Sequence, residues 1–314
     1  MLRVSRTSVP LHALDNLAHI SFTGVEPAAR SPGVLAHARM ESGHGHNPAA
    51  VHVIRRDPDQ PQHPFIEWIL RRAGLRPAAY RSAAMQRRVP ACLRQLRVTS
   101  VDAARDVLER QPELLSFVLN TALIGVSEFF RDRSVFDFLE ETVLPELLKT
   151  RTGLRVCGAG VSGGQEIYSM AILLAEAGVL EQSTLLGVDC RIDAISGARE
   201  GLFDSSDMAG VKPGRRDCFF RRGEGQWAVS PVLKNRIQWW VQDLLTLDTG
   251  GLCDLILFRN VAIYFNDWHS AEAWTRLCGQ LAPGGFLVTG KAERPPASLP
   301  LTRVASSIYR KNQL

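Results

Sequence analysis

Apolar positions along the chain follow three spacing regimes. Over residues 1–62 they carry neither helical nor strand period and are interspersed with Pro, Gly, Ala, Ser and His, which predicts a disordered N-terminal extension. From Phe65 they recur at spacings of three and four. Phe65, Ile66, Ile69 and Leu70 make one helical face, and Met85, Val89, Cys92, Leu93 and Leu96 a second. Pro90 is expected to kink or interrupt that second helix. Thr99-Ser-Val-Asp102 reads as a helix start, a further helix is predicted over 114–123, and an amphipathic one over 135–148.

After Leu154 the pattern changes to short apolar runs between helical stretches. Strands are predicted at 154–158, 184–189, 236–241, 253–258, 284–290 and 305–311, with helices at about 166–177, 192–201 and 268–281. Alternation of this kind, closed by two strands without a long helix between them, predicts an α/β fold. Its sheet is doubly wound and mostly parallel, with an antiparallel edge strand. The ending favours a methyltransferase sheet over a dehydrogenase one. Two β-like runs around Gly223-Glu-Gly225 read as a small hairpin insertion within about 210–235. The expected organisation is an extension (1–62), a helical domain (63–125) and an α/β domain (126–314).

The strand at 154–158 breaks into a glycine-rich turn with Gly158, Gly160, Gly163 and Gly164, and a helix begins near Glu166. Such a turn lets a ligand approach the backbone at the carboxyl edge of a parallel sheet. The next strand ends at Asp189, where a carboxylate is positioned to accept both ribose hydroxyls of an adenosine. The pattern alone fits a nicotinamide dinucleotide as well as S-adenosylmethionine, and a tight turn without a ligand as well as either.

Composition narrows the class further. The 45% hydrophobic content suits a sizeable core, and no apolar run reaches the roughly 18 residues of a membrane span, so membrane insertion is not expected. Six cysteines occur singly and without a CxxC pair, reading as small apolar residues of a reducing cytoplasm. Seven of the eight histidines fall at or before His63 without a ligand arrangement, so no metal site is expected. The net charge of +5 matters less than its location. Eight arginines and no acid lie between Arg71 and Arg97, among them Arg81, Arg87, Arg88 and Arg94. That concentration suits an acidic protein partner or a solvated face. With Tyr80 as its one interleaved aromatic residue and no nucleic-acid motif beside it, nucleic acid is not favoured.

Several segments together resemble the CheR-type chemotaxis receptor methyltransferases. They are Ser127-Glu-Phe-Phe-Arg-Asp132, Gly160-Val-Ser-Gly-Gly-Gln-Glu-Ile-Tyr-Ser169, Phe258-Arg-Asn-Val-Ala-Ile-Tyr-Phe265, Leu281-Ala-Pro-Gly-Gly285 and Ile308-Tyr-Arg-Lys311. They recur in the family's order and spacing across about residues 63–312. The resemblance implies a Rossmann-like class I methyltransferase sheet, S-adenosyl-L-methionine as cofactor, and methyl transfer to glutamates on receptor helices. By this analogy Ser127 and Arg131 approach the methionine end of the cofactor, with Arg131 facing its carboxylate. Glu166 lies by the ammonium, Asp189 on the ribose, and Asp243 and Leu244 beside the adenine. Gly158 and Gly160 form the turn, Arg259 and Asn260 line the site, and Tyr264 is nearest the transferred methyl. Arg131 and Tyr264 are the catalytic candidates. Arg81, Arg87, Arg88 and Arg94 would meet the acidic receptor helix.

The chain also departs from the family. The usual Cys-Ser-Thr-Gly-Glu-Glu-Pro-Tyr-Ser reads Val161-Ser-Gly-Gly-Gln-Glu-Ile-Tyr-Ser169, Asp189 lies in Gly-Val-Asp-Cys-Arg where Thr-Asp-Ile-Asp is common, and Lys291-Ala-Glu293 replaces His-Ser-Glu. These changes keep open a same-fold methyltransferase with another protein or a small acid as substrate, and a non-catalytic cofactor-binding module. A monomer is the expected state.

Overall fold

The computed structural model describes residues 61–123, 125 and 127–313. The expected disorder of the extension and its histidines, His63 excepted, therefore falls almost entirely outside the described residues. Five helices come first: α1 (Pro64–Arg72), α2 (Ser82–Gln86), α3 (Val89–Gln95), α4 (Val101–Arg110) and α5 (Leu114–Ala122). Pro90 does not kink a helix. It lies in the first turn of α3, where its missing N–H has no partner to lose, and the chain breaks at Arg87-Arg88 instead. Ser100 caps α4, its Oγ accepting from the Ala103 N–H at 3.2 Å. A longer helical run follows, α6 (Arg133–Phe138) and α7 (Leu144–Leu148), joined through a wider π turn at Leu139–Val143.

Ten strands follow: β1 (Arg155–Ala159), β2 (Thr184–Asp189), β3 (Leu202–Asp204), β4 (Phe220–Arg222), β5 (Gln226–Val229), β6 (Ile237–Val241), β7 (Cys253–Phe258), β8 (Leu281–Thr289), β9 (Leu301–Ala305) and β10 (Ile308–Lys311). Between them run α8 (Gln165–Glu176), α9 (Ile192–Glu200), α10 (Pro213–Phe219), α11 (Pro231–Lys234) and α12 (Asp267–Gly279). Seven strands form one sheet in the order β6-β2-β1-β7-β8-β10-β9. The first five are parallel, and β10 is antiparallel to both β8 and β9. The strand expected over 305–311 is thus a hairpin folded at Ser306-Ser307. The antiparallel strand lies one place in from the edge, and β9 takes the edge. The predicted hairpin insertion is present as β4 and β5, and Leu202–Asp204 joins it to make a three-stranded sheet, β3-β5-β4. That short run carries one inward residue, Phe203, and so gave no visible period.

Both faces of the large sheet are covered, which is why its parallel strands are apolar without alternation. Val156, Leu255, Leu257 and Val288 pack toward α6–α8 and the small sheet, whereas Cys157, Ile256, Phe258 and Leu287 pack toward α12 and the N-terminal helices. The strand order reverses between β1 and β7. Crevices outside the carboxyl ends of such strands are where open α/β sheets bind ligands.

The N-terminal helices are stitched to the sheet's carboxyl edge. The Arg81 N–H donates to the Tyr264 carbonyl at 2.8 Å, and the Asn266 N–H to the Ala79 carbonyl at 2.9 Å. Among the described residues no helix is long and apolar enough to cross a membrane, and no cluster of three or more His, Cys, Asp or Glu could hold a metal ion. Four of the cysteines are buried as expected, but Cys190 is half-buried and Cys218, on the surface of α10, is exposed.

Candidate active site

A cavity of about 260 Å³ opens at the switch point. The loops after β1, β2, β6 and β7 and the segment before α6 bring Ser127, Arg131, Gly160, Glu166, Asp189, Asp243, Leu244, Arg259, Asn260 and Tyr264 to its walls. Of the cofactor and catalytic positions expected from the sequence, Gly158 alone does not line it. A Cβ there would lie 2.6 Å from Val161 Cγ1, so this glycine serves packing beneath the turn. Gly160 does border the cavity, at φ +83°, and a Cβ on it would meet Val261 Cγ2 at 2.5 Å. The backbone there turns in a way that L side chains resist.

The segment Glu128-Phe-Phe-Arg-Asp132 explains how Arg131 reaches the cavity. Phe129 is buried edge-on between Phe203 (4.8 Å) and Phe220 (5.2 Å), and Phe130 packs edge-on to Phe136 at 5.5 Å. The Phe130 N–H donates to Ser169 Oγ at 2.9 Å. With both neighbours anchored, Phe130 and Asp132 hold left-handed conformations (φ 53° and 57°), and Arg131 projects to the cavity wall. Backbone of this kind costs about 1–3 kcal/mol per residue and persists where packing enforces it.

Beside Arg131 lies a buried charge network. The Arg259 side chain is fully buried and bridges two carboxylates, bonding Glu166 through Nη1 and Asp132 Oδ2 through Nη2 at 2.6 Å. Lys291 Nζ closes on Asp132 Oδ1 at 2.6 Å. Burial pushes the Glu166 carboxyl up to about 7, against the pull of Arg259 and Arg131, with Asp132 and Glu293 adding to the rise. A carboxyl poised there answers a cationic ligand by ionising.

The loop after β7 is held by Glu293. Its Oε2 accepts from the N–H groups of Asn260 (2.7 Å) and Gly290 (2.8 Å), and Oε1 from those of Val261 (2.9 Å) and Ile263 (3.4 Å). Asn260 is kept at φ 57°, and its buried side-chain Oδ1 has no partner. Glu293, Asp132 and Lys291 were quoted in motifs but given no role by sequence reasoning. Tyr80 and Arg191 also line the cavity and were not chosen. The Tyr80 ring packs against Phe265 at a tilt of 51°, centroids 5.4 Å apart, and burial raises its hydroxyl pKa well above the ordinary value.

The family profile described as "CheR methyltransferase, SAM binding domain" matches residues 125–307. A chemotaxis protein methyltransferase of Listeria innocua is 30% identical over 251 residues, 79% of this chain and 95% of that one. The chain belongs to the CheR methyltransferase family. Chemotaxis protein methyltransferase 1 of Pseudomonas aeruginosa is 32% identical over 191 residues, 57% of this chain and 70% of that one. Among solved structures, the N-methyltransferase NodS of Bradyrhizobium japonicum with S-adenosyl-L-homocysteine aligns with 51% of this chain and 63% of that one, at 21% identity and a TM-score of 0.30.

Membership in the CheR family makes the chain an S-adenosylmethionine-dependent methyltransferase with a class I sheet, as the segments at 127–132, 160–169 and 258–265 implied. The cavity's chemistry fits that cofactor. An arginine and a poised carboxyl share one wall, the glycine cradle at Gly160 borders it, and the buried Asn260 Oδ1 is an unused acceptor.

Proposed function

We propose that the chain methylates glutamate side chains of a chemoreceptor-type signalling protein. Bound S-adenosylmethionine would supply an electrophilic methyl on a sulfonium. The chain's residues would position it and the incoming carboxylate. Arg131 would take the methionine carboxylate as a planar anion, Glu166 the ammonium, and Asp243 and Leu244 would flank the adenine. One Asp243 oxygen is engaged by the Leu245 N–H at 3.0 Å, which orients its side chain.

A glutamate is ionised at neutral pH, so it can attack the methyl without a general base. The new O–C bond forms as the S–C bond breaks, giving a methyl ester and a neutral sulfide. Acceleration comes from alignment. This fits a described chain with two histidines, His63 and His269, neither on the cavity wall. Tyr264, on that wall, would border the methyl.

The observation that carries the substrate class is the continuity between the cavity rim and the basic surface. Tyr80 lines the cavity, and the next residue, Arg81, bonds the Tyr264 carbonyl through its backbone and the Phe265 carbonyl through Nε at 2.7 Å. Arg81 spends its remaining charge on Asp267 at 2.7 Å, so it acts as a clamp more than a docking cation. Arg87, Arg88 and Arg94 follow on α2–α3 with no ion pair among the described residues, and Arg87 and Arg94 are exposed. A glutamate-rich helix laid on this surface would have its carboxylates beside Tyr264.

The test is transfer of labelled methyl from S-adenosylmethionine to a receptor cytoplasmic fragment, read as base-labile methanol. Release that disappears when the fragment's candidate glutamates are changed to alanine is expected. Cofactor binding without transfer to any such fragment would contradict the proposal.

A further inference from the structure

Asp189, at the tip of β2, is the residue from which the ribose contact is expected, yet the chain itself fills its carboxylate. Oδ1 accepts from the Arg191 backbone N–H at 3.1 Å and from Arg191 Nε at 2.9 Å. Oδ2 accepts from the Ser162 N–H at 2.9 Å and from Arg191 Nη2 at 3.1 Å. An ionised carboxylate offers about four lone-pair sites, so four donors saturate it. Freeing an oxygen for a ribose hydroxyl would strip a buried guanidinium of its anion, which is costly because both side chains are more than nine-tenths buried.

The guanidinium has capacity left. Besides Nε and Nη2 on Asp189, it uses Nη1 to donate to the Leu123 carbonyl at 2.9 Å. Of its five N–H groups, two remain beyond these three bonds. The side chain lines the same cavity as Asp189 and Asp243. It is also fixed in place: a Cβ on Gly125 would fall 2.5 Å from Nη2, so the backbone packs directly against the fork. Hydroxyl oxygens accept hydrogen bonds as readily as they donate them. The charge of Arg191 is balanced by Asp189, so it would not repel a sulfonium-bearing cofactor as an isolated cation would.

We propose that Arg191 is the group that reads the ribose hydroxyls, as a donor to their oxygens, and that Asp189 is its positioning residue. This rests on the S-adenosylmethionine reading above and changes which side chain recognises the nucleoside. It gives a physical sense to Gly-Val-Asp189-Cys-Arg191, in which a cation stands where the pattern common in the family ends on a second acid.

The test is calorimetric titration of wild type, Arg191→Ala, Arg191→Lys and Asp189→Asn with S-adenosylhomocysteine and its 2′-deoxy and 3′-deoxy analogues. A thermal unfolding scan accompanies each variant. Wild type is expected to prefer the parent ligand over at least one deoxy analogue by about tenfold, the worth of one hydrogen bond to a charged group. In Arg191→Ala the parent should bind about tenfold more weakly and within about twofold of both analogues. Asp189→Asn, which releases the fork, should lose the same preference. A purely structural role would weaken all three ligands equally and leave the ratio untouched; that result overturns the proposal, as does a wild type without preference. If Arg191→Ala does not fold, Arg191→Lys decides: an undiminished ratio overturns the proposal, a reduced one supports it. Wild type that binds no S-adenosylhomocysteine would instead sink the cofactor reading itself.

Discussion

Replacing Glu293 with glutamine should loosen the loop that carries Arg259, Asn260 and Tyr264. The carboxylate now accepts from four backbone N–H groups, two on each oxygen, and its residue is only 4% exposed. Glutamine retains one acceptor oxygen. Its amide would face the other two N–H groups donor to donor. Hydrogen bonds to charged groups contribute about 1.5–3 kcal/mol each, so two lost bonds set an upper range near 3–6 kcal/mol, which loop relaxation reduces to about 3. At about 2–4 °C per kcal/mol for a domain of this size, the unfolding midpoint should fall by about 6–12 °C. Cofactor affinity should fall as well, because Asn260 is held at φ 57° by this carboxylate's bond to its N–H. Loss of the Glu293 charge also removes one of the influences raising the Glu166 carboxyl, so that group should titrate lower. Thermal scans with cofactor titration check both effects. A midpoint within about 2 °C of wild type together with unchanged affinity would refute the argument that Glu293 holds the loop.

Three further outcomes follow from the site. Arg131→Ala should weaken S-adenosylmethionine by about 10- to 100-fold in calorimetry, the loss of one charge-assisted pair, and unchanged affinity would mean that Arg131 does not meet the cofactor. Glu166 carries a pH dependence. Its raised carboxyl means that the folded chain binds this proton more tightly than the unfolded one, so the group's stability contribution falls as pH rises from about 4.5 to about 7 and is flat above. A cationic cofactor favours the ionised form, so affinity should climb between pH 6 and 7, level off by pH 8, and lose its slope in Glu166→Gln; a slope that survives this change would assign it to another group. Gly160→Ala forces a side chain into a φ of +83° with 2.5 Å to Val261, and should cost about 1–3 kcal/mol in chemical denaturation with a parallel loss of cofactor affinity.

The sequence made the sheet legible because buried parallel strands leave continuous apolar runs such as Leu255–Phe258, and because Gly160 and Asp189 mark strand tips where the chain turns toward a ligand. The resemblance carried by the segments at 127–132, 160–169 and 258–265, more than any spacing, pointed to Arg131, Glu166, Asp243, Arg259, Asn260 and Tyr264, and all six line one cavity. Features without a local period escaped sequence reasoning. Leu202–Asp204 is a three-residue strand that exists only by pairing with β5. Arg191 was hidden because its role comes from a side-chain fork onto Asp189 and a bond to Leu123, 68 residues away, and no spacing rule encodes either. Glu293 escaped for the same reason, its partners lying on the loop after β7. Gly158 lies off the cavity wall, and its packing demand, a Cβ 2.6 Å from Val161 Cγ1, comes from the fold of the turn and has no mark in the glycine spacing.

The central claim is that one cavity at the β1–β7 switch point holds S-adenosylmethionine between Arg131 and Glu166 on one side and the Asp189–Arg191 pair on the other. Calorimetric titration of the purified full chain with S-adenosylmethionine tests this most directly. The account predicts saturable binding to a single site, weakened by Arg131→Ala and by Arg191→Ala. Absence of binding heat over a range of temperatures, or binding indifferent to both substitutions, would contradict it.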